Sequence, residues 1–210
     1  MIRVTIADDH PLMREGIKKV LNDEIDMNVV SEAGVEDDIM RILKETPSEV
    51  LILDITMKGR SWTHLVRDIS SSYPYLGVLI FSTYPEEKYA VRVLKAGAKG
   101  YVCKSSTPEM LVAAVRKIAV EKRRFITPEV AEQLVCQLNK KNHNQHDHLS
   151  DREFEIMCLI ASGKNVHEIA SELSLSFHTI HTYRSRIKDK MNFTSNVDIA
   201  RYAIQNELVL

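Results

Sequence analysis

The sequence predicts an α/β fold, a doubly wound parallel sheet of five strands, followed by a separate all-α domain of four helices. Five short apolar runs of strand length recur over the first half of the chain, and amphipathic helical segments alternate with them. This alternation is typical of parallel sheets that helices cover on both faces. From about residue 149 onward only helical periodicity remains. A chain of 210 residues is long enough for two such domains.

The predicted strands are apolar runs that end at polar residues. In chain order they cover residues 2–7, 27–31, 50–53, 77–81 and 100–103. The first run leads into the acid pair Asp8 and Asp9, the third leads into Asp54, and the last leads into Lys104. Because the carboxyl ends of parallel strands meet at one edge of the sheet, we expect these four side chains to share a crevice.

Three carboxylates in one crevice repel one another strongly unless a cation neutralises them. Mg²⁺ is the natural candidate, since it prefers oxygen ligands and usually takes only one or two carboxylates. We expect Asp9 and Asp54 to bind it directly and Asp8 to bind it through water. With the charge offset, Asp54 can act as a nucleophile toward a phosphoryl group, which Lys104 and the hydroxyl of Ser82 would then contact. The alternative is that each acid only caps a helix, which would explain one such residue better than a set at successive strand ends.

A polar segment, residues 139–148, separates the two predicted domains. It lacks any apolar period and follows two predicted helices, which open at Thr107 and Thr127, each with proline next in sequence. We interpret the segment as a mobile linker. Its three histidines could bind a metal, but no supporting ligands are evident, and a solvated linker is favoured. The predicted organisation is therefore a first domain at 1–120, a linker with a helix at 121–148, and a second domain at 149–210.

The helices of the second domain are marked by their ends. Ser150 and Glu153 form a capping box at the start of the first helix, and Gly163 ends it. A short helix from Val166, a tight turn at 173–176, a basic helix over about 177–190 and a final helix over roughly 196–205 follow. The order of short helix, tight turn and basic helix indicates a helix-turn-helix.

The basic helix has two different faces. Its apolar face carries Ile180, Tyr183, Ile187 and Met191, which we expect to face the core. The opposite face has short polar groups in the middle and cations at the edges: His178, His181, Thr182, Ser185 and Arg186, flanked by Arg184 and Lys188. An ordinary solvated face would explain a basic helix alone, but this layout after a tight turn suits a helix in the major groove of DNA.

Over about residues 1–120 the sequence resembles the receiver domain of bacterial two-component response regulators of the NarL/FixJ subfamily. The opening Asp8-Asp9-His10-Pro11-Leu12, with Arg14 and Gly16 behind it, is similar to theirs, as is the approach to the final strand at residues 96–101. The resemblance implies a flavodoxin-like fold and phosphorylation of Asp54 by a sensor histidine kinase or a phosphotransfer protein. It further implies the following roles: Asp8 and Asp9 as the acid pair, Thr56 as a metal ligand through its backbone carbonyl, Ser82 and Lys104 as phosphoryl partners, and Tyr101 as the switch aromatic that turns into the space vacated by Ser82.

Three positions depart from that pattern. Lys58 replaces a usual proline and Trp62 a usual glycine, and we expect both to change the rim of the loop after Asp54 and recognition by the kinase. Ser105 stands where many receivers outside the subfamily have proline. A cis bond before serine costs about 2 to 3 kcal/mol more than one before proline, so the geometry of that bond stays open.

From Leu149 onward the sequence resembles the LuxR/FixJ-type helix-turn-helix, with Tyr183 and residues 184–186 closest to the Gac-type members. The resemblance implies double-stranded promoter DNA as a partner, base contacts near His181, Thr182 and Ser185, and a homodimer surface on the last helix. The residues that we expect to bind DNA are Lys164, His167, His178, Thr179, His181, Thr182, Arg184, Ser185, Arg186 and Lys188.

Histidine stands at positions 167, 178 and 181, where that family commonly has lysine. Residues 149–210 carry seven Lys/Arg and eight Asp/Glu, a net charge of −1 with neutral histidines and +2 with all three protonated. We hypothesise that DNA affinity rises as the pH falls from about 7.5 to about 6, because protonated histidines would gain phosphate contacts and release counterions. The alternative is that the histidines form hydrogen bonds without titrating.

Composition excludes several other classes. The three cysteines are widely spaced in apolar patterns, so they indicate buried thiols rather than disulfides or a zinc site. No signal segment opens the chain and no run approaches the roughly 18 apolar residues of a membrane span, which predicts a soluble cytoplasmic protein.

The function that these patterns predict is a phosphorylation-controlled, DNA-binding transcription regulator rather than an enzyme. One alternative is a Mg²⁺-dependent phosphohydrolase, but Thr56 stands two residues after Asp54, where such an enzyme would need a second acid. Another is a constitutive DNA-binding protein whose receiver serves only as a dimerisation scaffold.

Overall fold

The structure is a computed structural model that describes residues 1–57, 62–139, 145–206 and 208–209, with the backbone alone described at 87, 88, 133 and 136–139. The chain forms two compact units, Met1–Val135 and Cys136–Leu210. Lys58, Gly59 and residues 140–144 of the predicted linker, including His143, lie outside the described residues, as does the side chain of Cys136. Among the described helices, none is long and apolar enough to cross a membrane.

The first unit contains a sheet of five parallel strands in the order β2-β1-β3-β4-β5. Its strands are β1 Ile2–Ala7, β2 Met27–Ala33, β3 Val50–Leu53, β4 Gly77–Ser82 and β5 Gly100–Cys103. The predicted doubly wound α/β fold is therefore confirmed. Strand β2 runs two residues beyond its predicted end, because it is an edge strand whose half-exposed positions tolerate Ser31 and Glu32.

Five helices alternate with these strands. They are α1 Pro11–Asn22, α2 Glu36–Glu45, α3 Trp62–Ser72, α4 Glu86–Ala96 and α5 Pro108–Ala119. Helices α1 and α5 pack on one face of the sheet and share a buried core with β1 and β4. Gly77 lies where α5 crosses β4, and a Cβ atom there would fall 2.1 Å from Cγ2 of Ile118, so only glycine fits. The central strand β3 is fully buried, which places its carboxyl end at the bottom of a crevice.

The second unit is helical. Its helices are α7 Asp151–Ala161, α8 Val166–Glu172, α9 Phe177–Met191 and α10 Asn196–Gln205, and the boundary between the two units falls inside α6 Pro128–Asn139. Ser150 and Glu153 form the predicted capping box, with both reciprocal hydrogen bonds present. The turn before α9 contains Ser174 with φ 51°, and the described part of the chain contains no cis peptide bond, so the bond before Ser105 is trans.

The last residues of the predicted linker have regular structure. Residues Gln145–His148 form a short 3-10 helix that belongs to the second unit. Gln145 donates a hydrogen bond to the carbonyl of Met191 at 2.9 Å, and Nδ1 of His146 lies 2.9 Å from the hydroxyl of Tyr202. A polar, aperiodic sequence conceals this turn, because its side chains bind groups of α9 and α10 rather than an apolar core.

Candidate functional site

The strand-end side chains meet at the carboxyl edge of the sheet, as the sequence predicts. The backbone N–H of Asp54 donates to the carbonyl of Ala7 at 2.8 Å, so the sheet hydrogen bonding continues past β3. Nζ of Lys104 donates to Oδ2 of Asp8 at 2.7 Å and to Oδ2 of Asp54 at 2.6 Å. One ammonium group thus joins residues from the ends of β1, β3 and β5.

These three groups are almost fully shielded from water. Asp8 is 1% exposed, Asp54 is 2% exposed, and Lys104 has a buried side chain. Burial lowers the pKa of Lys104, but the hydrogen bonds and charges of Asp54 and Asp8 outweigh it and raise the pKa above the usual value. The lysine is therefore charged at neutral pH and offsets one of two buried negative charges.

A second feature of the crevice suits a cation. Ligand atoms of Asp8, Asp9, His10 and Asp54 all lie within 4.8 Å of one another. Nδ1 of His10 is 3.1 Å from Oδ1 of Asp8 and 2.9 Å from Oδ1 of Asp9. Only the contact with Asp8 has the geometry of a hydrogen bond. Oδ1 of Asp9 is buried and receives no hydrogen bond from the described residues. A buried carboxylate oxygen without a donor fits a hard divalent cation, which Asp8, Asp9 and Asp54 would hold.

His10 was not predicted as part of this cluster. Its backbone N–H donates to Oδ1 of Asp8 at 2.8 Å, and its ring folds back over the acid pair. The available signal is its place directly after Asp9, at the start of α1, where a backbone turn brings its side chain to the preceding carboxylates.

Thr56 orients the carboxylate of Asp54. Its N–H donates to Oδ1 of Asp54 at 2.9 Å and its hydroxyl donates to Oδ2 at 2.6 Å. The resemblance implied only that the carbonyl of Thr56 binds the metal. The two hydrogen bonds that Thr56 donates to Asp54 were not predicted. Ser82 is buried at the end of β4, and its Oγ accepts from the N–H of Tyr84 at 3.3 Å. Asp54 and Ser82 therefore sit on neighbouring strands of the same edge.

The ring of Tyr101 lies inside the protein. The resemblance implied that this ring turns inward when Asp54 is phosphorylated. Tyr101 is 2% exposed, and its hydroxyl donates to the carbonyl of Tyr84 at 2.8 Å. Burial is the main cause that raises the pKa of Tyr101 far above its usual value, while a hydrogen bond to Ser82 opposes the shift. The ring is inside because this pocket supplies both apolar contacts and an acceptor for the hydroxyl.

Trp62 is also buried, which corrects the expectation that it shapes the rim of the loop. The distance between the ring centroids of Trp62 and Tyr89 is 6.3 Å. Tyr89 in turn stacks on Tyr84, with a centroid distance of 4.5 Å and an interplanar angle of 9°. A large apolar side chain at the first position of α3 is stabilised by this aromatic cluster. Trp62 thus contacts α4 rather than an incoming kinase.

The two faces of α9 agree with the predicted layout. Ile180, Ile187 and Met191 are buried and Tyr183 is half-buried. The opposite face is accessible, since His178, Thr182, Ser185 and Arg186 are exposed and Thr179, His181, Arg184 and Lys188 are partly exposed. The side chain of Ser176 accepts a hydrogen bond from the N–H of Thr179 and caps the helix.

An aromatic stack, which the sequence did not reveal, lies at the start of α9. Phe177 is 46% exposed, and its ring lies 4.8 Å from His167 and 4.4 Å from His181. Arg184 donates to Nδ1 of His181 at 3.0 Å. The detectable signal is the four-residue spacing of Phe177 and His181, which puts the two rings on one side of a helix.

The remaining predicted DNA contact differs from the others. Lys164 forms an ion pair with Glu172 across α8. Its positive charge is therefore partly neutralised within the domain, which weakens its expected contribution to a phosphate contact.

Helix α10 presents apolar side chains to the solvent. Val197 is 70% exposed and Ile204 is 61% exposed. They are seven residues apart, so they lie on one side of the helix. The surface that the resemblance assigned to a homodimer thus carries two exposed apolar side chains.

Both units match known families. Residues 4–116 match the response regulator receiver domain, and residues 147–203 match the bacterial regulatory proteins of the luxR family. The response regulator GacA of Pseudomonas aeruginosa is 34% identical over 213 residues, with 100% of this chain and 98% of GacA covered. The response regulator UvrY of Escherichia coli is 31% identical over 210 residues, with 99% and 96% covered.

One solved structure is similar over both units. It is RcsB from Salmonella enterica serovar Typhimurium bound to promoter rprA in the presence of phosphomimetic BeF3−, with a TM-score of 0.68 and 27% identity. The alignment covers 96% of this chain and 97% of that chain. The described strand-end acids and Lys104 fall within the first family match, and α7, α8 and α9 fall within the second.

Proposed function

Because this chain belongs to the response regulators that join a receiver domain to a LuxR-type DNA-binding domain, with Gac-type relatives, we propose that phosphorylation of Asp54 controls its binding to promoter DNA. The observation that carries this proposal is the contact of Lys104 with both Asp8 and Asp54. A buried carboxylate that is held beside a cation, and oriented by Thr56, is prepared to accept a phosphoryl group.

The metal in this proposal is Mg²⁺. Asp9 and Asp54 would bind it directly, Asp8 through water and Thr56 through its carbonyl. When bound, Mg²⁺ would offset negative charge and act as a Lewis acid toward the phosphoryl oxygens. The buried Oδ1 of Asp9, which accepts no hydrogen bond from the described residues, supports this assignment.

The phosphoryl donor in this scheme is a phosphohistidine of a sensor histidine kinase or of a phosphotransfer protein. A carboxylate oxygen of Asp54 forms a bond to phosphorus while the bond from phosphorus to the histidine nitrogen breaks, and the nitrogen keeps the electron pair. Lys104 then exchanges its contact with Asp54 for one with the phosphoryl group, and the hydroxyl of Ser82 donates to another phosphoryl oxygen.

The change in charge explains how the receiver would signal. The phosphoryl group carries about −1.5 to −2 charges at pH 7, and it replaces the single negative charge of the free carboxylate, so the net addition is about −0.5 to −1. Ser82 moves toward the new oxygens and loosens its contacts with Tyr84 and Tyr101. The proposed consequence is a rearrangement at the ends of β4 and β5, which alters pairing of two protomers and their binding to DNA.

On DNA, α9 is the proposed recognition helix. Short polar side chains on its accessible face suit base edges, and Arg184, Arg186 and Lys188 suit phosphates. Apolar residues of α10 are the proposed contact between protomers, so that a homodimer places two recognition helices on two half-sites. The similarity to RcsB bound to a promoter supports the same kind of partner for this chain. Cytoplasmic location is part of the proposal.

A constitutive DNA-binding regulator is the second candidate, and one specific observation favours it. Tyr101 is buried, and its hydroxyl is bound to the carbonyl of Tyr84, an acceptor that does not involve Asp54. A receiver of this kind would serve as a dimerisation scaffold, and DNA affinity would not depend on phosphorylation. A phosphohydrolase is disfavoured, because Thr56 offers a hydroxyl bound to Asp54 where a leaving group would need an acid.

The intact mass of the chain tests the phosphoacceptor directly. With acetyl phosphate and Mg²⁺, we expect the mass of one phosphoryl group to be added to the native chain and not to Asp54→Ala. Chelation of Mg²⁺ should prevent the addition. An adduct of equal yield on Asp54→Ala would rule out Asp54 as the acceptor.

A further inference from the structure

The segment that follows α5 returns to the edge of the receiver sheet. Phe125 donates its backbone N–H to the carbonyl of Lys99 at 2.8 Å and forms a parallel bridge with Gly100, the first residue of β5. The approach is close, since a Cβ atom on Gly100 would lie 3.0 Å from Cβ of Phe125. We name residues 125–130 the strap. It extends the sheet beyond β5 and connects the receiver to α6.

A side-chain contact fixes the second half of the strap. The hydroxyl of Thr127 donates to Oε1 of Glu86, the first residue of α4, at 2.7 Å. Thr127 is buried, and so is Val130 one turn later. The same hydroxyl accepts from the N–H of Val130 at 3.4 Å, and the Thr127 carbonyl accepts from the N–H of Ala131 at 3.0 Å. Thr127 therefore directly precedes α6 and ties the start of this helix to α4.

The strap contacts the same two elements that hold the proposed switch. Glu86 follows Tyr84 by two residues, and Tyr84 binds both Ser82 and the hydroxyl of Tyr101. Tyr101 in turn follows Gly100, which pairs with the strap. A movement of Ser82 toward Asp54 would thus reach the strap through the segment 82–86 and through β5.

We propose that Thr127 and Glu86 are positioning residues whose hydrogen bond transmits the state of Asp54 to α6, the helix in which the receiver unit ends. The inference rests on the proposed function. It identifies the contact through which phosphorylation changes the DNA-binding form of the protein. Loss of the contact leaves the phosphoacceptor chemistry intact and separates it from the output.

The test measures a coupling ratio, the DNA affinity of the full chain with acetyl phosphate and Mg²⁺ divided by the affinity without acetyl phosphate. The probe is a DNA duplex that the native chain selects from a randomised library. Thr127→Val removes the hydroxyl and keeps the branched shape, and Thr127→Ser restores a hydroxyl. Glu86→Ala removes the acceptor without altering the cap of α6.

We expect Thr127→Val and Glu86→Ala each to reduce the coupling ratio toward one, by about fivefold or more, which is within the usual size of such couplings. Intact mass should show the native yield of adduct in both variants. Thr127→Ser should keep most of the native ratio. The double variant should behave like either single variant, because both remove the same contact.

The outcomes separate this inference from the proposed function. If the native chain forms no adduct or shows a ratio of one, the proposed function fails. If the native ratio is large and both variants keep it, the strap carries no signal and the inference is overturned. A lower ratio in Thr127→Val alone would also overturn it, since that result would trace to the cap of α6.

A measurement on the native chain makes the test independent of variants at Thr127 and Glu86. Amide hydrogen exchange of peptides that cover the strap should change when Asp54 is phosphorylated, because the Phe125 N–H is bound to the edge of β5. The same peptides of Asp54→Ala should not change. Unchanged exchange in a fully phosphorylated native chain would contradict the inference.

Discussion

At the residue scale, the site depends on a balance among buried charges. Lys104 compensates part of the charge on Asp8 and Asp54, and no other lysine or arginine among the described residues forms an ion pair with either carboxylate. Removal of one partner from a buried ion pair leaves a charge that neither water nor protein stabilises. The stability of the receiver should therefore depend on Lys104 and on Mg²⁺ together.

We predict that Lys104→Met lowers the free energy of unfolding by about 3 kcal/mol in the absence of Mg²⁺. Added Mg²⁺ should recover a large part of this loss, because the metal binds the folded acid cluster and replaces the missing positive charge. Urea unfolding with EDTA and with Mg²⁺ measures both values. Lys95→Met, on the exposed surface of α4, is the matched control and should change stability little. An identical loss for Lys104→Met in both buffers would contradict the charge balance.

The histidines of the second unit are not equivalent. His181 accepts a hydrogen bond from Arg184 at Nδ1, which requires that nitrogen to be deprotonated. His178 is exposed, and the ring of Phe177 lies 4.8 Å from His167 and 4.4 Å from His181. The three histidines thus differ in exposure and in their partners.

We predict that DNA affinity at fixed salt rises as the pH falls from about 7.5 to about 6. The triple variant His167→Gln, His178→Gln and His181→Gln should lose the rise. Binding titrations at several pH values measure the effect. A native affinity that is constant over this range would leave the histidines as simple hydrogen-bonding groups.

At the element scale, capping hydrogen bonds stabilise the start of α10. Asp198 in α10 accepts hydrogen bonds from both the N–H and the hydroxyl of Ser195 and of Thr194. These bonds, first those of the Ser195 hydroxyl and then those of Thr194, lower the pKa of Asp198 to about 2. The charged form is thus stabilised by folding. This contribution is complete above the usual value of 3.8 and is lost as the pH falls from there through about 2.

We predict that Asp198→Asn destabilises the chain at neutral pH and that the difference from the native chain closes as the pH falls toward 2. The reason is that protonated aspartic acid and asparagine are both poor acceptors for four donors. Thermal unfolding followed by circular dichroism at several pH values measures the difference. Asp189→Asn, at an exposed position of α9, is the control. A difference that persists unchanged at the lowest pH would exclude the capping charge as its cause.

The elements themselves could largely be predicted from the sequence. Apolar runs identified all five strands, and the ends of β1, β3 and β5 agree with the prediction because each run stops at a charged residue. Capping residues located α7 in the same way, and helical periodicity gave the bounds of α10, whose capping box at Ser195 and Asp198 only the structure shows. The 3-10 helix at Gln145–His148 could not be found, because its polar groups bind partners about fifty residues away in sequence.

The grouping of side chains at the site was predictable for a topological reason. Parallel strands force their carboxyl ends to one edge, so Asp8, Asp54 and Lys104 had to meet. The positions of Tyr101 and Trp62 were not predictable, since Trp62 depends on the aromatic packing of Tyr89 with Tyr84, and Tyr101 depends on a buried acceptor, the carbonyl of Tyr84. Such packing leaves no periodic signal in the sequence.

At the scale of the whole molecule, the second unit should bind DNA best as a pair. Residues 149–210 carry no net positive charge, so a single copy gains little from phosphate contacts. Two copies joined through α10 would double the number of contacts. The exposed side chains of Val197 and Ile204 supply the apolar area for this contact.

We predict that the double variant Val197→Gln and Ile204→Gln weakens DNA binding about tenfold or more while each unit stays folded. Each exposed side chain that is buried in a dimer contributes about 1 kcal/mol or more. Analytical ultracentrifugation of the phosphorylated chain and binding titrations measure the two effects. Asn196→Gln, on the same helix, is the control. Unchanged assembly and affinity in the double variant would place the dimer contact elsewhere.

The central claim is that Asp54 chemistry controls DNA binding, and one measurement tests it most directly. DNA affinity is determined at fixed salt for the native chain and for Asp54→Ala, each with and without acetyl phosphate in the presence of Mg²⁺. We predict that acetyl phosphate strengthens binding of the native chain at least fivefold, within the range of such couplings, and leaves Asp54→Ala unchanged. Equal affinities for a native chain that intact mass shows to be phosphorylated would contradict the claim and favour constitutive DNA binding.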